Sequence, residues 1–307
     1  MCLTQPSNEV IRHNHQLRET SMSDNRKHQE APVLPVRRDV RFGLPADQIG
    51  SWHYTAGPVF TAFLNTFSIV LPVGERFFMD NVRAYRDQIT DPELKKAVTA
   101  FIGQEAMHSR EHIEYNNALF AVSSIAPKFE KFVGKILTSI NKYAPRPIGL
   151  AGTIALEHFT ALLADSVLSE PRISEGAEPH YAALWRWHSL EETEHKAVAY
   201  DVWETVIGTG PGAYALRAVG LAAATVIFWG LVIPVFLEVL REEGKLTDVD
   251  GWKKFYKFTM GDIGLIRIQL RNYIDYFRPD FHPWDHDNRK YLEQIDEFLA
   301  YQQSLAA

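Results

Sequence analysis

The chain has a single cysteine, Cys2, among 307 residues. That excludes internal disulfides and cysteine-ligated zinc or iron–sulfur sites. A reducing compartment follows, so a cytoplasmic location is expected. A net basic charge is also absent. The net charge is −6 at pH 7, and no dense Lys/Arg patch is interleaved with aromatics, so nucleic acid is not an expected partner. The Val/Ile/Thr alternation that marks strands is missing throughout, which makes the expected fold all-α. The opening residues do not resemble a signal peptide either. Residues 1–35 are rich in Asn, Gln, His and Arg, with APVLP the only apolar run, and read as a disordered tail. Met22 opens MSDNRKHQE as an alternative start, and His13 and His15 are read as bystanders. With 46% hydrophobic residues the chain has ample material for a large core, and its twelve histidines are a stock of ligands.

The histidines cluster. In Phe101–His112, FIGQEAMHSREH, the residues Glu105, His108 and His112 fall at i, i+3 and i+7 on one helical face. Leu94, Val98, Phe101, Tyr115 and Leu119 extend that face as a core-facing stripe. Ionisable groups inside such a stripe are costly unless compensated, and a metal ion is the simplest compensation. Three other stretches match it. Glu75 lies on a stripe of Leu64, Phe67, Leu71 and Phe78, and Glu157 on one of Leu150, Ile154, Ala161 and Leu168. Glu192 and His195 repeat the Glu-x-x-His pair, with His188 one turn earlier. The order Glu, Glu-x-x-His, Glu, Glu-x-x-His, with 30 and 35 residues inside each half, suits two helical hairpins, and the 52 residues between halves leave room for a crossover. The expected fold is a ferritin-like four-helix bundle with a dinuclear metal site and additional C-terminal helices. Its ligands would be Glu75, Glu105, His108, Glu157, Glu192 and His195. His112, His188 and Glu191 are extra ligands or supporting partners, and Glu191 competes with Glu192 for the same role. His158, about 100° from Glu157, is read as packing.

The expected organisation is a tail over 1–35, a metal-binding bundle over 36–210, and C-terminal helices over 211–307 packed on it. Helices are expected at 57–87, with Pro72 bending the first or freeing a carbonyl, from Pro92 to about 120, at 126–143 as crossover, and around Glu157. The helix carrying Glu192 and His195 is expected to run to about 208. Ala218–Leu237 has 20 residues without a charge. It is long enough to span a bilayer, although a helix buried on all sides, or lining a tunnel, has the same signature; the latter is the favoured reading. A further helix is expected over 248–277 and a last one over 288–303. Between them Phe281 and Trp284 would clasp the bundle, while His282, Asp285, His286 and Asp287 lack the register of a second metal site.

The ligand order resembles the ferritin-like di-iron carboxylate proteins. More closely, GERFF, FIGQEAMHSREH, WHSLEETEHK and RPDFHPWDHD are similar to a bacterial family described as predicted metal-dependent hydrolases, over about residues 36–300. Carried over, the di-iron pattern implies Glu75 and His108 on the first metal, Glu105 and Glu192 bridging, and Glu157 with His195 on the second.

Mixed carboxylate and imidazole donors suit two ions of iron or manganese, with zinc a further option. The leading expectation is an O2-dependent di-iron oxygenase, oxidase or desaturase served by an electron donor. Its substrate would be small and hydrophobic or lipid-like, given the apolar 218–237 helix and Phe77, Phe78 and Phe159. Membrane association would run through 218–237. The alternative is hydrolysis by a metal-activated water, with Glu191, Glu194 or His188 as general base. Non-catalytic metal storage is the third reading.

Overall fold

The computed structural model describes residues 33–53 and 55–305. The expectations for residues 1–32 fall outside them. The fold is all-helical. Among the described residues no strand forms, and one isolated bridge joins His53 to Ala177.

Local chemistry sets the helix starts. Helix α1 (Gly57–Arg83) has Pro58 in its first turn. Helix α2 (Pro92–Val122) is capped by Asp91, whose side chain accepts from the Glu93 amide, with Pro92 at the first position. Helix α3 (Ala126–Tyr143) and helix α4 (Arg146–Ser169) follow, each with proline in its first turn. Helix α5 (Pro179–His195) is capped by Glu178, which accepts from the amides of His180 and Tyr181. Helices α1, α2, α4 and α5 carry the six proposed ligands. They pack as a closed cycle, α1 on α2, α2 on α5, α5 on α4 and α4 on α1. Residues Leu34–Ala307 form one compact unit.

Pro72 sits inside α1 and cannot donate to the carbonyl of Ser68. Asn116 of α2 fills the gap, its Nδ2 donating to Ser68 O at 2.9 Å. The freed-carbonyl expectation holds, and the partner comes from the neighbouring helix.

Several boundaries differ from expectation. Helix α1 ends at Arg83, and Arg86–Gln88 forms a 3-10 turn. Helix α5 stops at His195, and α6 (Val198–Val206) starts after a turn at Lys196–Ala197. The break coincides with Lys196, whose buried ammonium donates to His286 O and Asn288 Oδ1, both at 2.7 Å, and lies over the Trp284 ring. The expected 248–277 helix divides into α8 (Val249–Thr259) and α9 (Leu270–Asp275). The loop between them closes through Leu265 N to Phe258 O and Ile266 N to Thr259 O, with Gly264 at a φ of +69°. The last element is a 3-10 stretch, Arg289–Gln294, leading into α10 (Ile295–Leu305).

The apolar 218–237 stretch lies within α7 (Pro211–Glu242). It is not buried on all sides. In its most apolar window only 17% of residues are buried, because α7 packs by one face on α4 and α1 and leaves the other open. Among the described residues three segments are long and apolar enough to cross a membrane, Gly57–Gln88, Arg146–Ser169 and Pro211–Glu242.

Phe281 packs against His158, Tyr200 and Tyr276. His282 pairs with Asp201 at 3.0 Å and His286 with Asp275 at 3.6 Å. The groups of metal donors found among the described residues do not include this segment.

Candidate metal centre

The stripes on α1, α2, α4 and α5 point inward and bring their acidic and imidazole groups together in two clusters. Glu75, His108 and His188 form one, and Glu105, Glu192 and His195 the other, each with donor atoms within 4.8 Å of one another. All six are buried. His188 Nε2 lies 2.9 Å from Glu192 Oε1, and His108 Nδ1 lies 3.7 Å from the same oxygen, so the clusters adjoin. His195 Nε2 lies 3.1 Å from Glu105 Oε1, 3.4 Å from Glu192 Oε2 and 3.7 Å from Glu157 Oε2. The sequence-derived set is therefore assembled in one place, and His188 joins it at the centre.

Hydrogen bonds around the site fix which imidazole nitrogens carry protons. Asn116 Nδ2 donates to the Ser68 carbonyl, so its Oδ1 accepts from Ser68 Oγ, at 2.8 Å. Ser68 Oγ, its proton so engaged, accepts from His112 Nδ1 at 2.9 Å. His112 Nε2 then accepts from His188 Nδ1 at 2.8 Å, which turns His188 Nε2 toward the carboxylates, 2.9 Å from Glu192 Oε1. A second chain does the same for His195. Gln104 Nε2 donates to Glu194 Oε2 and Val36 O, so Gln104 Oε1 accepts from His195 Nδ1 at 2.9 Å. His195 Nε2 is left for the cluster. Orienting partners of this kind fix the tautomer of metal-binding histidines.

Glu191 and Glu192 divide the work. Glu192 faces the cluster, with Thr160 Oγ1 donating to its Oε2 at 2.5 Å. Glu191 Oε1 accepts from Trp187 Nε1 and from Arg38, while Oε2 stands 3.2 Å from His108 Nε2. Glu194 is held by both terminal nitrogens of Arg38 and by the Val36 amide. His112 supports His188 and is not a member of either cluster. His158 is buried among Tyr276, Tyr273 and Phe281, and burial pulls its pKa down to about 3.

The donors fit cations better than they fit one another. Glu75 Oε1, both oxygens of Glu105 and Glu157, both nitrogens of His108 and His195 Nε2 are buried without a hydrogen-bond partner. Each such orphan costs about 1–3 kcal/mol. Burial, reinforced by the neighbouring carboxylates, drives the carboxyls of Glu75 and Glu157 far above their ordinary range, and burial also raises Glu105. Glu192 goes the other way. Burial opposes its ionisation, but the adjacent His195 and His188 imidazoles outweigh it. Burial holds His108 and His112 well below the ordinary imidazole range. Among the described residues no Lys or Arg forms an ion pair with Glu75, Glu105, Glu157 or Glu192. Arg38 and Arg110 are engaged with Glu191, Glu194, Asp39 and Glu111.

An apolar cavity of about 340 Å³ ends on this centre. Phe67, Phe77, Leu137, Leu156, Ala223 and Phe228 line it, and His188, Glu192, Thr160 and Ser189 supply its few polar side chains. Glu191 and Glu194 are not in its wall.

Residue-by-residue reading missed Gln104, Ser68, Asn116, Thr160 and Arg38. It also missed Ser109, whose Oγ donates to Glu75 Oε2 at 2.7 Å. The available signal was position. Gln104, Ser109 and Thr160 sit one, one and three residues from a ligand candidate.

A family model described as "Predicted metal-dependent hydrolase" matches residues 36–287. The chain belongs to this family. No curated protein and no solved structure matches it. As a member of the predicted metal-dependent hydrolase family it is a metal-dependent enzyme, and its two adjoining donor clusters are consistent with a dinuclear site.

Proposed function

We propose that this protein uses two metal ions to hydrolyse an ester or related bond at the head of an apolar, acyl-type chain. The observation that carries the reading is the junction of the two donor clusters with one apolar cavity. The family description supplies the reaction type. Glu75, Glu105, His108, Glu157, Glu192, His195 and His188 would hold the ions. When bound, such ions supply Lewis acidity and acidify water, and iron or manganese would add redox capacity.

The chain's own side chains do the rest. Phe77, Leu137 and Phe228 would bind the apolar tail and exclude water from its path. Thr160 Oγ1 donates to one Glu192 oxygen, so this carboxylate is held in the cavity wall. The relay through His112 and Ser68 holds a proton on His188 Nδ1 and so orients its other nitrogen. Glu191 and Glu194, tied to Arg38 behind His108 and Gln104, orient ligands and leave general-base duty to a group at the cavity end.

A second reading, O2-dependent oxidation by a di-iron form, draws on one specific observation. The cavity wall offers almost no polar group to a leaving group or oxyanion, and an unfunctionalised chain would suffice as substrate. One experiment separates the two. Protein loaded with zinc, manganese or ferrous iron is assayed on a series of esters of increasing acyl length, with and without O2. Hydrolysis that rises with chain length, persists with zinc and ignores O2 supports the first reading. O2 uptake by the reduced iron form with no ester cleaved by any metal form replaces it with the second.

A further inference from the structure

The open face of α7 reverses the usual pattern of a surface helix. Ala215, Val219, Ala222, Val226, Gly230, Ile233 and Leu237 recur every three or four residues and are all exposed. Val226 is 74% exposed and Val219 65%. Over these six turns, about 33 Å by helical rise, the solvent-facing line contains no polar side chain. Contiguous apolar surface of this extent marks an interaction site.

Two further observations say what it meets. The apolar cavity opens at this face, since Ile148, Val219 and Ile227 belong to its wall and are also about half exposed or more. Beside it, α3 sends Val133, Ile136, Leu137 and Ile140 into the same cavity and turns Lys128, Lys131, Lys135 and Lys142 outward, with Phe132 and Tyr143 exposed among them. Four lysines against one acid, Glu130, make α3 basic in a chain of net charge −6. Lysines and aromatics flanking an apolar surface are the composition of a helix lying in a bilayer interface.

We propose that the α3–α7 face docks onto an anionic phospholipid bilayer and presents the cavity mouth to the acyl region. The docking is monotopic. The opposite face of α7 is packed on α1 and α4, and Arg217 inside it is buried, donating to Tyr276 O and Arg278 O. The docking rests on the surface alone; that a substrate enters from the bilayer rests on the proposed function.

The test is flotation of the full chain with phosphatidylcholine vesicles, with and without phosphatidylglycerol. Binding to the anionic vesicles, weakened by salt, is the expected result. Val226→Asp with Ile233→Asp, and separately Lys131→Glu with Lys135→Glu, should each reduce partitioning at least about tenfold. Far-ultraviolet circular dichroism and metal content should stay unchanged, since all four side chains are exposed. The readout is partitioning, not turnover, so it can fail independently of the catalytic reading. Absence of binding to either vesicle, or equal binding by wild type and both variants, overturns the proposal. So does a dimer by light scattering that Val226→Asp with Ile233→Asp dissolves without any vesicle binding, which would assign the face to a second copy.

Discussion

A residue without an amide proton sets the first histidine of the centre. Pro72 leaves the Ser68 carbonyl free, Asn116 takes it, and the resulting orientation passes through Ser68 and His112 to His188. His112→Phe and Gln104→Leu should each weaken metal binding by about 10–100-fold while keeping the fold, measured by competitive titration of the apoprotein against a chelator. Unchanged affinity would mean that the relay is not coupled to the centre. The stripe residues were legible because an ionisable group at a core-facing helical position is conspicuous without any partner in view. Glu75, Glu105, His108, Glu157, Glu192 and His195 all stood out that way. The partners were not legible. Gln104 meets His195 across 91 residues and Arg38 meets Glu194 across 156, and nothing in local period encodes those distances.

At the scale of elements, the four ligand helices could be placed because caps and prolines mark their starts and the 3.6-residue period their faces. Breaks imposed from elsewhere in the chain could not. Helix α5 stops at His195 where Lys196 turns toward His286 and Asn288, and burial lowers that ammonium to about 7. Hydropathy alone gave α7 its apolar character but not its open face, because a stripe exposed on one side and a helix buried on all sides have the same composition. The cavity depends on small residues in facing helices. Gly152 of α4 lines it, and a β-carbon there would meet the Phe77 ring at ordinary contact, 3.6 Å. Gly152→Leu should therefore fold, retain metal, and raise KM for long-chain substrates at least about tenfold through lost apolar contact. Short-chain substrates should be little affected, and equal loss for every chain length would contradict the cavity's role.

For the molecule as a whole, the buried carboxyls make metal binding and protonation compete. Glu75, Glu105 and Glu157 have raised pKa values in the metal-free fold, so ions can bind only as their protons leave. Loading at pH 7 should release protons, in an amount measurable by titration in weakly buffered solution. Affinity should rise with pH and fall as pH drops through the raised carboxyl range. Metal should also protect the fold, by about 2.7 kcal/mol per site at a hundred times Kd, seen as a higher Tm. A Tm indifferent to metal would place the ions outside the core.

The central claim is that the two donor clusters at the cavity end hold two ions. Its most direct test is the metal-to-chain ratio of apoprotein loaded anaerobically with ferrous iron, or with manganese or zinc, then freed of excess by gel filtration. The account predicts about two ions per chain in the wild type. It predicts a clear loss in Glu105→Gln and His195→Ala, with all-helical circular dichroism retained in both. No bound metal, or full occupancy in both variants, would contradict it.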